Sequence, residues 1–350
     1  MEIALGNAVE KLRELEWRRK RFAEVVNKNK SRIKFEGKAL FRPVSSFRVD
    51  GKIAAVDGGL LHRNLHGFDL VLGKAIGAIF EYNDSRLVGS DYCPDPFPSP
   101  TPYPVYAPLS SRDSEIMAHI IRQRLEVGVA QEIALNFDIK TLLMDGSIIP
   151  HSSSRPYDDS EIKGEFTKLL ESYKTLFETC TQKNIQLAGI VEDSRGMRFG
   201  DILSRCLHGD MRDEDLISTT NDTNLLYYIL EKSEATNDFP FSDRSKQHPI
   251  LRGLGKWADS VRTFYLRPTT MDRPLRIDFL ASSTDPVKLA SELLPLCSAN
   301  ELYGIPSPII EADARAHLTQ NEINTVYNQL IDRTGPIPSI MKLRRDMRPF

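Results

Sequence analysis

Two aspartates in this chain each follow a run of small or apolar residues and are each followed by glycine: Asp57 in AAVDGG and Asp145 in LLMDGS. An apolar run that ends on a charge reads as a buried strand whose last side chain must find a partner, because an unpaired carboxylate is costly to desolvate. One Asp-Gly alone is ordinary turn chemistry. Two of them at the ends of neighbouring strands mean more, since carboxylates a few ångströms apart repel and a divalent cation relieves both. A glycine behind each aspartate leaves room for a phosphodiester to approach. The chemistry expected of such a centre is phosphodiester hydrolysis with Mn²⁺ or Mg²⁺ in a two-metal site, one ion activating water and the other stabilising the leaving 3′ oxygen.

Such a centre needs further carboxylates. A long helical segment offers Glu115 and Glu126, eleven residues apart and therefore three turns along nearly the same face. Glu126 is mid-helix, where a helix crossing the sheet passes nearest the strand ends, and is preferred; Glu132 reads as a solvated charge. A C-terminal segment offers Glu311 and Asp313, with Asp313 preferred. Ser147 and His151 lack the G-x-S-x-G context of a serine hydrolase. His62, His66, His119, His151 and His317 read as structural or surface histidines. No G-x-x-x-x-G-K-[ST] occurs, so the chain does not power its own movement on a duplex.

The elements that position these residues follow from pattern. Ala8, Leu12, Leu15, Phe22 and Val26 form a helical stripe on a leading helix that must dock on something. KIAAVD, GFDLVLGKAIGAIFEY and RLVGSDYC read as three strands of a meander, the first turning at its glycines. PDPFPSPTPYPVYAP is too rich in proline for regular structure and reads as a stiff connector. Ser110 or Ser111 caps a helix to about Asn136, with Ile116, Ile120, Leu125, Val129 and Ile133 as its buried face. The strand TLLMDGS, a helix over about 160–183 and the strand IQLAGIVED complete the order β-β-β-α-β-α-β. The fold class expected is therefore α/β, a ribonuclease H-like mixed sheet with a helical N-terminal extension and a C-terminal insertion. The boundaries read as an extension over 1–40, the core over 41–206, an insertion over 207–250, and strands and helices over 251–350 that complete the domain. In this last part VRTFYLRP and PLRIDFLAS read as strands, and a last helix starts after Pro308.

With 350 residues, 41% of them hydrophobic, the chain can fill a sizeable core, and its net charge of −2 shows no global basic field. Charge is uneven, however: residues 1–38 hold eleven Lys or Arg against six Glu, and the segment from Met341 to Phe350 is basic again. Cys93, Cys180, Cys206 and Cys297 are too scattered for a zinc knuckle or a disulfide framework and read as reduced thiols. The charged amphipathic start is unlike a signal peptide, and no run is long enough to span a membrane, so a cytoplasmic, nucleoid-associated protein is expected.

Taken in order, AAVDGG, the helix carrying RLEVGVAQE, LLMDGS, GIVEDSRG and YGIPSPIIEADARAHL resemble the NurA nuclease family over about Lys52 to Leu330. The resemblance implies a dimeric, Mn²⁺- or Mg²⁺-dependent nuclease with a ribonuclease H-like core that digests DNA from 5′ ends. It also implies a partner, a HerA-type hexameric translocase ATPase, in the end resection that precedes recombination. Asp57, Glu126 and Asp145 match the family's metal-binding carboxylates. In the tail, Ile305 stands where the family has tyrosine and Asp313 where it has histidine, with Tyr303 and His317 nearby. Glu192 replaces the family's lysine after the fifth strand, beside Asp193, which leaves Arg195 and Arg198 as DNA-phosphate contacts. The competing readings are a noncatalytic scaffold of the same fold that binds DNA or the ATPase ring, and an aspartate-nucleophile phosphatase. The phosphatase needs a second acid where Gly59 stands.

Overall fold

The computed structural model describes residues 2–207 and 213–344; residues 345–350 of the basic C-terminal segment lie outside the described residues. The chain opens with α1 (Glu2–Asn29), a two-residue-strand hairpin of β1 (Lys34–Phe35) and β2 (Lys38–Ala39), and a short strand β3 (Phe41–Pro43). An antiparallel meander follows: β4 (Gly51–Asn64), β5 (Asp69–Asn83) and β6 (Arg86–Cys93). After β7 (Thr101–Val105), α2 (Ser111–Asn136) returns the chain to β8 (Ile139–Asp145), parallel to β4, and α3 (Lys163–Gln182) leads to β9 (Gln186–Val191), parallel to β8. The resulting order β6-β5-β4-β8-β9 is that of the expected core. α2 starts as its sequence requires, with the Ser110 hydroxyl accepting from the Asp113 N–H.

Helices α4 (Arg198–Cys206), α5 (Glu214–Ser218) and α6 (Asp222–Ile229) precede β10 (Glu234–Thr236), β11 (Phe239–Pro240), β12 (Val261–Arg267) and β13 (Leu275–Leu280). These strands do not form a separate sheet. β13 pairs antiparallel with β9, and the sheet continues through β12 and β10 to β3. The chain closes with α7 (Pro286–Leu296), α8 (Ser307–Ala316) and α9 (Gln320–Thr334).

Alternation along the central strands sorts side chains into two cores. Ala54, Val56, Leu142 and Met144 face α2 and α3, meeting Ile120, Val127, Phe166 and Phe177. Ile53, Ala55, Leu143, Ala188 and Ile190 face the other way, meeting Leu289 and Leu293 of α7, Ile305 just before α8, and Ile309 and Ala312 of α8. The sheet is thus covered on both faces, as a largely buried parallel centre demands. Each fully buried leucine or isoleucine contributes about 1.5–3 kcal/mol, which holds the strand ends firmly in place.

Four expectations need correction. β4 does not turn at Gly58 and Gly59 but runs on to Asn64, because β5 pairs with it all the way from Gly51↔Tyr82 to Asn64↔Asp69. What ends near Asp57 is the parallel partner, whose last paired residue is Met144 opposite Val56. The proline-rich segment does contain a strand: β7 lines the edge of β5, with Pro102 and Pro104 opposite Leu72 and Leu70. Prolines at every second position of an edge strand lack only the N–H groups that point away from the ladder. The α1 stripe is buried only at its C-terminal end, where Phe22 and Val26 join α4–α6, while Leu12 is 59% exposed. Finally, α8 is followed by another helix, α9, which begins with a reciprocal capping box between Thr319 and Glu322, a T-x-x-E signal legible in the sequence.

Candidate functional site at the strand ends

Side-chain parity brings the carboxylates together. Asp57 and Asp145 continue the Ile53-Ala55 and Leu143 series, so both project toward α8, and Glu192, just past β9, continues the Ala188-Ile190 series on the same face. Glu126 arrives from α2 on the opposite face, past Gly58. A Cβ at Gly58 would lie 2.7 Å from both the Glu126 Cγ and its Oε1, and one at Gly59 would lie 1.9 Å from the Ala316 carbonyl oxygen at the end of α8. The two glycines therefore admit a helix from each face. They do not leave an open floor, as the sequence reading held.

The electrostatics record how closely these acids feel one another. Asp57 and Glu126 are each 5% exposed. Burial, then the Asp57 and Asp145 charges, push the Glu126 carboxyl up to about 8, against the pull of Arg122. Burial and the Asp57 and Glu192 charges push Asp145 up to about 8, helped by a hydrogen bond between Asp57 and Asp145. That contact needs a proton between the two carboxyls and belongs to the pair. Asp57 is itself raised, by burial and by the Asp313 charge, although the Gly58 N–H donates to its Oδ1 at 2.6 Å and Arg122 opposes the shift. Glu192 is raised by burial and by Asp313, Asp193 and Asp272. A group of acids that raise one another's pKa is a centre short of positive charge.

Of the residues singled out from sequence, Asp57, Asp145 and Glu126 are thus neighbours, and Asp313 projects near them from α8. Glu311 turns elsewhere, accepting from Tyr92 at 2.8 Å and from Arg315 at 2.6 Å. Glu115 is exposed three turns before Glu126, and its charge acts on His119. Asp193 is paired with Arg273 at 2.5 Å. Ile305, at the family's tyrosine position, is buried in the α7–α8 core. The Tyr303 hydroxyl instead reaches the group, donating to Glu192 at 3.3 Å, and burial with the Glu192, Asp313 and Asp145 charges pushes it up to about 12. His317 caps the C-terminal end of α8, where its charge acts on Glu322. Arg195 is exposed, whereas Arg198 is held in a two-pronged pair with Asp243, an arrangement that draws it into structure.

Two members escaped the sequence reading. Arg122, one turn before Glu126, lies 3.4 Å from the Glu126 Oε1 and lowers the pKa of all three central acids. The signal was the i,i+4 Arg–Glu spacing. Glu192 was read only as a replaced lysine, but strand parity places it on the Asp57–Asp145 face. Among the described residues no group of three or more His, Cys, Asp or Glu side chains is arranged to hold a metal ion. The Asp57–Asp145 pair is in contact, Glu126 lies against Arg122, and Asp313 is exposed on α8.

A family model described as the NurA domain matches residues 51–318. Among solved structures, the chain is similar to the NurA nuclease from Sulfolobus solfataricus, at 17% identity over 95% of this chain and 99% of that one, with a TM-score of 0.55. It is also similar to NurA with manganese, at 12% identity over 94% and 99% with a TM-score of 0.53, and to NurA bound to dAMP and manganese, at 12% over 96% and 96% with a TM-score of 0.53. No curated protein matches.

Proposed function

This chain belongs to the NurA family, and from that membership and its converging carboxylates we propose that it is a metal-dependent DNA nuclease. The observation that carries the reading is the convergence of Asp57, buried, and Asp145, half-buried, from one face of adjacent parallel strands, with Glu126 near enough for their charges to raise its carboxyl. The donors are all hard carboxylate oxygens, the kind Mn²⁺ or Mg²⁺ takes. Asp57, Glu126, Asp145 and Asp313 are the residues proposed to hold the ion or ion pair. When bound, it would activate water and stabilise the leaving oxygen. Arg122 offsets negative charge on the α2 side and presents a cation to an approaching phosphate. Tyr303 and Glu192 close the α8 side.

The finer reading is a 5′–3′ exonuclease with single-strand endonuclease activity, acting in end resection. A HerA-type hexameric ATPase is its proposed partner, supported by the missing phosphate-binding loop. A homodimer is supported by Leu5, Leu12 and Trp17, which leave 64%, 59% and 57% of their surface exposed along α1. Arg195 is the proposed phosphate contact. No described helix is long and apolar enough to cross a membrane, and a cytoplasmic, nucleoid-associated location is part of the proposal.

A noncatalytic scaffold is the second reading, favoured by the altered tail, where Ile305 and Asp313 stand in place of the family's tyrosine and histidine. End-labelled linear DNA incubated with Mn²⁺, Mg²⁺ or chelator, with and without a translocating ATPase, separates the two. The nuclease reading expects metal-dependent products that Asp57→Asn abolishes while DNA binding survives. Products that persist in chelator, or no products under any condition, would refute it.

A further inference from the structure

One basic segment has no part in the carboxylate centre. Residues 28–38, KNKSRIKFEGK, carry five Lys or Arg and one Glu in a protein of net charge −2. Two of the five cations are accounted for locally: Lys28 is in the last turn of α1, where the helix dipole favours it, and Lys30 donates to the Ile229 carbonyl at 2.6 Å and pairs with Glu234. Arg32, Lys34 and Lys38 are exposed, and among the described residues none of the three has an acidic partner. We propose that these three cations grip the sugar-phosphate backbone of duplex DNA away from the carboxylates, an inference that takes the identity of the polyanion from the nuclease reading.

The segment is built to hold them in place. Ile33 and Leu40 are buried and Phe35 packs beside them in the core that includes Phe199 and Ile202 of α4, so apolar side chains anchor the β1–β2 hairpin between its charges. Its turn, Glu36 at φ 50° and Gly37 at φ 79°, has the two positive φ values of the tight turn whose twist matches a two-stranded ribbon. Pairing of Lys34 with Ala39 and of Phe35 with Lys38 puts Lys34 on one face of the ribbon and Lys38 on the other. A ribbon seated in the major groove has a phosphate rail along each face, whereas a flat anionic surface, protein or lipid, meets only one. Phe35, the one aromatic residue of the segment, is packed into the core, so no ring is offered to an unstacked base and the contact is to phosphate alone. β3, which directly follows the hairpin, lies four strand spacings from β9, about 19 Å across the sheet. A duplex crossing the strands from the carboxylates covers that distance in about six base pairs.

The test measures affinity of the full-length protein for a labelled duplex of about 30 base pairs by fluorescence anisotropy in chelator, across a range of salt. Each phosphate contact contributes about 0.9 to the slope of log affinity against log salt. Arg32→Gln, Lys34→Gln and Lys38→Gln combined should therefore lower the slope by about 2.7, so that the gap from wild type closes about 40-fold between about 50 and 200 mM salt. Arg32→Lys with Lys34→Arg and Lys38→Arg keeps every charge and should keep the wild-type slope. Mn²⁺-dependent cleavage of a tetranucleotide, too short to reach the hairpin, should be unchanged in both variants. An unaltered slope in the Gln variant overturns the proposal, as does an equal loss when Lys163, Lys168 and Lys174 of α3 are replaced by Gln instead. Single strands or phosphatidylserine vesicles held as tightly as the duplex, with the same dependence on the three cations, overturn it as well. A loss confined to the hairpin variant, without Mn²⁺-dependent cleavage by any of the proteins, supports the hairpin contact and sinks the nuclease reading.

Discussion

Replacing Asp145 with Asn should stabilise the metal-free protein while destroying its activity. A carboxyl whose folded pKa is raised binds more protons in the folded state than in the unfolded state, so its stability contribution is greatest below the unfolded value and falls as pH rises toward the folded one. For Asp145 that window runs from the ordinary 3.8 to about 8. At about 1.36 kcal/mol per pH unit, retaining the proton at pH 7 costs a ceiling of about 4 kcal/mol. Asn carries no charge at any pH, removes a repelling neighbour from Asp57 and Glu126, and can still hydrogen-bond to Asp57. The expected gain is about 2–4 kcal/mol at pH 7, shrinking toward zero by about pH 4. With an unfolding entropy of about 2.1 cal/mol/K per residue, that is about 3–5 °C in Tm for this chain. Thermal and urea unfolding of both proteins in chelator between pH 4 and 8 measures it, and added Mn²⁺ should raise the wild-type Tm more than the variant's. A variant no more stable than wild type at pH 7 in chelator would refute the account of these acids as a mutually repelling group.

Glu126→Gln should lower Mn²⁺-dependent cleavage by about 100-fold or more, since ligating carboxylates support several kcal/mol of transition-state stabilisation, with DNA affinity retained in a gel-shift assay. Gly59→Ala places a Cβ 1.9 Å from the Ala316 carbonyl oxygen; prising α8 from β4 should cost about 2–3 kcal/mol in urea unfolding and reduce cleavage. Asp222, fully buried, accepts from the Phe199 and Gly200 N–H groups and from the Tyr265 hydroxyl. Asp222→Ala strands those donors and should cost about 3 kcal/mol or more, seen as a lower urea midpoint. Leu12→Glu, on the exposed stretch of α1, should shift sedimentation from dimer toward monomer with little change in monomer stability.

The central strands, α2 and α3 were legible because their apolar runs, the Ser110 cap and the 3.6-residue periodicity all point the same way. Asp57 and Asp145 were legible for a related reason: a charge at the end of a buried run is a local anomaly that needs no alignment to notice. β7 was hidden because a proline count carries no information about which edge of a strand faces solvent. The exposed half of α1 was hidden because periodicity shows that a helix has an apolar face and says nothing about what covers it.

By itself, then, the amino-acid order specified the strands, the long helices and which acids terminate the buried runs, since these depend on neighbours within a turn or a strand. Long-range register decided the rest. Pairing of β4 with β8 and of β8 with β9 set Asp57, Asp145 and Glu192 on one face, and the crossing of α2 and α8 at Gly58 and Gly59 brought Glu126, Arg122 and Asp313 to them. Side-chain direction in a sheet reverses with every one-residue slip, so only the assembled tertiary structure could determine which charges meet.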